Sequence, residues 1–373
     1  MRRLFVLITG LILYGSLYPW QFHPAGSLSS ALLRVFLDWQ HIDFAILKDM
    51  ALNVVVYAPL GLTAYLSSAS GFRWTRALWP ILFGFTLSLS IETLQSYLPR
   101  TPSGLDLVCN TLGTAAGVGI AGAYESALAR WFERLHRGAR RPSSALMLLI
   151  VFLAHYLIPL STDAIKLFSI YHQPALAQQW NWAEFTNTLA AWWLAGRLME
   201  AVAGKHRWAF PAMFTGLLLA AGTRLISPNL LFTWPMLAGA AAGFIIWKML
   251  ETRGFELLYA MFALTWLVGD GLRPYQFTGH STFDWIPFRG LLGVDWTNGV
   301  TSLLNKTWMY GAAFWTWEQA GLTRPRALAI LMAVLAAIEF AQLYLPGRVS
   351  TMTDLAMGVI AAGLLWSVER KYG

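Results

Sequence analysis

Runs of apolar residues about as long as a bilayer is thick dominate the chain, separated by short segments rich in Arg, Trp and Pro. A helix needs about 20 predominantly apolar residues to cross the hydrocarbon core. Twelve such runs are predicted as spans: 3–20, 50–69, 77–98, 104–125, 144–163, 183–203, 208–226, 231–250, 255–272, 299–320, 324–345 and 351–369. The run at 183–203 is interrupted by Arg197 and Glu200. Longer connections at 21–48, 164–182 and 273–298 mix polar residues with aromatics such as Trp39, Trp180, Trp182, Trp285 and Trp296. That mixture predicts interfacial or re-entrant segments. The expected class is an all-α polytopic membrane protein.

Composition strengthens this reading. Of 373 residues, 57% are hydrophobic and 12% charged, against roughly 25% charged in a soluble globular protein. With 19 Trp, 22 Phe and 13 Tyr, the aromatic surface exceeds what a soluble domain of this size buries. A soluble enzyme, a disordered tail and a disulfide scaffold are excluded, Cys109 being the single cysteine. The net charge of +8 is spread over short loops, so no nucleic-acid partner is expected. Met1-Arg2-Arg3 before an apolar run has the form of a signal peptide. However, no small-x-small site precedes Pro19, and the run recurs internally, so it is read as an uncleaved first helix. With that helix starting inside, the loops on the same side carry most of the Lys and Arg, including the cluster from Arg130 to Arg141. Both termini are therefore expected in the cytoplasm. The cluster itself suits contact with anionic lipid.

The chain repeats itself. Leu17-Tyr-Pro-Trp-Gln-Phe22 returns as Leu272-Arg-Pro-Tyr-Gln-Phe277, and Ile91-Glu-Thr-Leu-Gln-Ser-Tyr-Leu-Pro99 as Ile338-Glu-Phe-Ala-Gln-Leu-Tyr-Leu-Pro346. Each proline is followed by an Arg and, six residues beyond it, an Asp: Arg100 with Asp106, Arg348 with Asp354. The segment 144–250 reads as a degenerate third copy, with Leu157-Ile-Pro159, Asn187 and Gly204-Lys-His-Arg-Trp208, the last set against Gly71-Phe-Arg-Trp74. It lacks the Glu, Gln and Asp positions. Three four-helix blocks are thus expected, at 1–130, 144–250 and 255–373.

Polar residues inside the spans are the candidates for function, because a charge at mid-bilayer costs about 2.5–3.5 kcal/mol on insertion scales and usually faces a cavity or a partner. Asp49 and Asn53, Glu92 and Gln95, and Asp106 and Asn110 form three pairs, each on one helix face. Gly113 and Gly117 continue the last stripe and permit close helix approach. Pro59-Leu-Gly61 lies along the first. By the expected topology these residues and Arg100 gather at the outer ends of their helices, in an extracytoplasmic-facing polar pocket. Arg100 suits a phosphate or carboxylate, since guanidinium donates in a planar fork. The acids could act as general acid or base, hold sugar hydroxyls, or neutralise Arg100. The last block keeps Asn305, Glu339, Gln342, Arg348 and Asp354 but has Thr301 for Asp49 and Gly358 for Asn110. The first block is therefore expected to carry the activity. The seven His show no metal-ligand spacing, and no phosphate loop or nucleophile elbow is present, so neither a metal nor a cofactor is expected.

The run Asp49-x-x-x-Asn53, Pro59-Leu-Gly61, Glu92-x-x-Gln95, Arg100 and Asp106-x-x-x-Asn110-Thr-x-Gly113 resembles the VanZ-like family of bacterial integral membrane proteins. The resemblance covers 3–125 well and 255–369 in part. It implies a multi-pass protein of the bacterial cytoplasmic membrane with an envelope role, in glycopeptide (teicoplanin-type) resistance or exopolysaccharide biogenesis. It implies no reaction. Membrane lipids, and a lipid-linked glycan or lipoglycopeptide as an anionic amphiphilic ligand, are the expected partners. An intramembrane enzyme using Glu92 or Asp106 as base, and a non-catalytic scaffold of an envelope complex, remain as alternatives.

Overall fold

The computed structural model describes residues 2–18, 20–23, 27–37, 44–68, 73–136, 142–157, 180–203, 211–212, 214–216, 233–250, 254–292 and 296–368. The expected span 208–226 and connection 164–182 lie largely outside these residues. So do much of the basic cluster and the Gly204–Trp208 segment. The described residues are all-α, with no strand among them and one isolated parallel bridge between Asp284 and Thr351. They divide into two compact units, Met1–Glu133 and Arg134–Gly373.

In the first unit, α1 (Arg2–Ser16), α3 (Phe44–Ser67), α4 (Arg73–Gln95) and α5 (Gly104–His136) coincide with the first four predicted spans. The short helix α2 (Leu28–Leu37) lies within the long connection. It starts where the Ser27 hydroxyl oxygen accepts the Ser30 N–H at 3.3 Å, an N-cap. It buries Ala31 and Val35, four residues apart. Helices α3 and α5 approach each other closely. A Cβ on Gly113 would stand 2.4 Å from the Val54 carbonyl oxygen, and one on Gly117 1.9 Å from that of Ala58. From the other side, a Cβ on Gly61 would stand 2.0 Å from the Thr114 carbonyl. The expected glycine stripe is therefore a backbone-to-backbone crossing, with Pro59-Leu-Gly61 as its partner surface. At the start of α4, Arg76 pairs with Glu125 of α5 at 2.5 Å and lies over the Tyr65 ring at 4.5 Å.

The second unit contains α6 (Pro142–Leu157), α7 (Trp182–Ala203), α8 (Trp234–Leu250), α9 (Glu256–Gly271), the short α10 (Arg289–Leu292), α11 (Trp296–Gln319), α12 (Arg324–Gln342) and α13 (Met352–Val368). Every residue from Trp308 to Glu318 is buried, so α11 runs through the middle of the unit. Its core is aromatic, with Trp192, Trp193, Trp247, Trp308 and Trp315 among the buried side chains. Gly239 and Gly243 of α8 meet the backbone of α7 as closely as the glycines of α5 meet α3. After α9 the chain runs irregularly beside the end of α12, with Gly279 N–H donating to Tyr344 O at 2.8 Å and Ser281 N–H to Leu343 O at 2.9 Å.

Four described helices are long and apolar enough to cross a membrane: Asp49–Ser67, Thr75–Gln95, Gly104–Glu125 and Arg324–Gln342. Shorter apolar helices include Ser144–His155, Trp234–Leu250 and Met352–Val368.

Candidate functional site

The seven candidate residues of the first unit lie at one end of its helices. Asp49 and Asn53 belong to the first turns of α3, Glu92 and Gln95 to the last turn of α4, and Asp106 and Asn110 to the first turns of α5. Arg100 sits in the turn between α4 and α5. The turn after Gln95 leads into Pro99, which cannot continue a helix.

Ser103 is the N-cap of α5, its hydroxyl oxygen accepting the Asp106 N–H at 3.4 Å. In a capping box the acid at the third helical position would return to bind the backbone N–H of the cap. Here Asp106 turns instead to α3, where Asn53 Nδ2 donates to Asp106 Oδ1 at 2.8 Å. The cap N–H is satisfied from α4: Ser103 N–H donates to Glu92 Oε2 at 2.9 Å, with Glu92 only 2% exposed. Gln95 Nε2 donates to the Ser16 carbonyl at the end of α1, at 2.9 Å. Asn110 Nδ2 donates to Ser88 Oγ at 3.0 Å. The Asn110 Oδ1 has no hydrogen-bond partner among the described residues, and the enclosed Tyr57 hydroxyl lies beside Ser88. Four of the candidates are thus cross-helix braces, and Asp106 is both cap-proximal and braced.

Arg100 and Asp49 differ from these. Both are exposed. Asp49 is near enough to Asp106 for the two carboxylates to repel. Arg100 attracts Glu92 and Asp106 without pairing directly with either. The one hydrogen bond of its side chain among the described residues is Nη1 to the Ser16 carbonyl at 3.3 Å. Neutralisation of Arg100 by direct contact with the acids, one of the expected arrangements, is not what the geometry displays.

The second unit holds a parallel set. Thr351 precedes α13 as Ser103 precedes α5, and its N–H donates to Glu339 Oε2 at 2.6 Å. Gln342 Nε2 donates to the Gly271 carbonyl at 2.9 Å, Gly271 ending α9 as Ser16 ends α1. Arg348 donates from Nε to Arg273 O at 2.9 Å and from Nη2 to Asp270 O at 2.8 Å. Trp20 and Tyr275, four residues past those helix ends, both take positive φ, at 62° and 64°. The acids part company: Asp354 pairs with Lys306, whereas Asn305 is exposed and has no described bond to it. Ser88, Ser103, Tyr57 and Lys306 escaped the sequence reading. The spacings Ser103-x-x-Asp106 and Thr351-x-x-Asp354 are cap signatures that would have located two of the braces.

An all-α architecture with membrane-length helices, tied at one end by buried polar side chains, defines a helical membrane protein. Residues 4–125 match the family model described as VanZ/LLP1, so the N-terminal unit is similar to that family. No curated protein and no solved structure matches the chain.

Proposed function

We propose that the N-terminal VanZ-like domain binds the anionic headgroup of an amphiphile, such as a lipid-linked glycan or lipoglycopeptide, at Arg100. One observation carries this reading. Arg100 is exposed and held by a single carbonyl, with most of its N–H fork unpartnered among the described residues. The buried residues around it hold the helix ends in place. A planar fork at a fixed position suits a phosphate or carboxylate. In this reading the protein serves the envelope of a bacterium from its cytoplasmic membrane, in glycopeptide resistance or exopolysaccharide biogenesis. Burial of Glu92 and its bond to Ser103 N–H suit a brace rather than a base, which leaves Asp106 to the enzyme reading.

The test is lipid carried through purification of the full chain and identified by mass spectrometry. Wild type is expected to retain an anionic amphiphile. Arg100→Ala should lose it at unchanged membrane abundance, and Arg100→Lys should retain little, because a point charge cannot replace a bidentate fork. Equal retention by all three proteins would overturn the assignment.

We further propose twelve spans in three blocks, 1–130, 144–250 and 255–373, with both termini cytoplasmic and the outer two blocks as copies. The matched bonds of Glu92 with Glu339 and of Gln95 with Gln342 support the pairing of the outer blocks. Reporter fusions after Gly373 and within 130–141 are both expected to read as inside. An outside signal at either position would break this topology.

A further inference from the structure

A cavity of about 240 Å³ opens in the second unit, at the end where α7, α8 and α11 begin and α6 and α9 finish. It is independent of the Arg100 reading. Three aromatic side chains line it, Phe152, Trp266 and Trp308, together with Glu184, Asn187, Asp270, Asn305 and His155. One wall is a rigid network. Asn187 Nδ2 donates to Asp270 Oδ1 at 2.8 Å, and Trp266 Nε1 donates to Asn187 Oδ1 at 3.0 Å. Arg273 joins Asp270 at 3.4 Å and Thr186 Oγ1 at 2.8 Å. His155 Nδ1 lies 3.3 Å from the Thr301 carbonyl. Polar groups of the lining without a described partner include the Glu184 carboxylate, the Asn305 amide and Trp308 Nε1, the last of these buried.

We infer that this cavity binds one neutral sugar ring. Its volume is below the range of about 300–1,000 Å³ typical of drug-sized ligands and matches a single pyranose. The unused groups comprise an acceptor, a group that both donates and accepts, and a donor, which is what a ring of hydroxyls requires. Aromatic faces pack against the C–H faces of such a ring. Arg273 pairs with the Asp270 carboxylate, and the Lys306–Asp354 pair is closed on itself. The indole donor disfavours an organic ammonium ion, and Glu184 disfavours an anion.

The same ring chemistry can come from a free sugar or from a lipid headgroup. The experiment uses the full chain in lipid nanodiscs, free of glycoside detergent. Its probes are radiolabelled methyl glycosides of glucose, galactose, mannose and N-acetylglucosamine. At least one should bind saturably, and Glu184→Ala and Trp308→Phe should each weaken it by about tenfold, as expected when one hydrogen bond to a buried or charged group is lost. Arg100→Ala should leave it unchanged, so that this result and the Arg100 result stand or fall separately. Tighter competition by the octyl than by the methyl glycoside would identify a membrane-borne headgroup, and equal competition a free sugar, either outcome supporting a sugar site. The inference is overturned if no glycoside binds saturably, if both variants bind as wild type does, or if choline or inorganic phosphate competes as well as the sugar.

Discussion

Replacing Gly117 by alanine is expected to remove the folded N-terminal unit from the membrane, whereas the same change at Gly119 should be silent. The difference lies in what the new methyl group meets. At Gly117 it would stand 1.9 Å from the Ala58 carbonyl oxygen and 2.8 Å from the Leu62 nitrogen. Neither atom can swing aside as a side chain can, so α3 and α5 must separate along their whole crossing. Overpacking a core usually costs about 1–3 kcal/mol when side chains yield; against fixed backbone the loss should exceed that range. At Gly119 nothing lies within 4 Å, and alanine is the better helix former by about 1 kcal/mol. Fluorescence-detected size-exclusion of the full chain fused to a fluorescent protein would read both. A normal profile for Gly117→Ala would mean that the helices do not cross at this point.

The second large effect concerns Glu92. Glu92→Ala should lower folded abundance sharply, and Glu92→Gln much less, because glutamine keeps an oxygen for the Ser103 N–H. Stranding that buried donor costs about 1–3 kcal/mol, and the loss spreads to the cap of α5 and to the Asn53–Asp106 bond beside it. Glu339→Ala should behave alike in the second unit through Thr351. Thermal unfolding in detergent, followed separately for each variant, is the appropriate readout. If Glu92→Ala were as stable as wild type yet lost its bound amphiphile, Glu92 would be a ligand contact rather than a brace.

These two cases show what was readable in the sequence. Glu92 and Gln95 are conspicuous because they interrupt an apolar run, and their spacing places them on one face. Their partners were not readable, since Ser103 N–H and the Ser16 carbonyl are backbone groups that exist at nearly every position. The reading of Gly113 and Gly117 as a close-approach face was possible because glycine lacks a side chain; only the structure identified Val54 and Ala58 as the opposing surface. Helix α2 falls in the connection 21–48, read as an interfacial or re-entrant segment, and its ten residues, Leu28–Leu37, are too few for a span. The extension of α5 past Glu125 was missed for a different reason. Hydropathy falls there, but Ala, Leu, Glu and Arg remain good helix formers, so the helix continues where the apolar pattern stops. Arg100 was identified as a candidate from its chemistry, and its exposure, which separates it from the braces, required the fold.

The length of α5 has a mechanical consequence. At 33 residues and about 1.5 Å per residue, it is roughly 50 Å of uninterrupted helix, while the hydrocarbon core is about 30 Å thick. Its first turns hold Asp106 beside Asn53, its glycines rest on α3 as on a fulcrum, Glu125 is tied to Arg76 of α4, and the helix runs on to His136. A rod pivoted near one end amplifies. A tilt of about 5° imposed at Asp106 would displace the far end by some 3 Å over the roughly 35 Å beyond Gly113, at the same rise per residue. Whatever settles against the short arm would thereby be felt at the long one, through the helix itself.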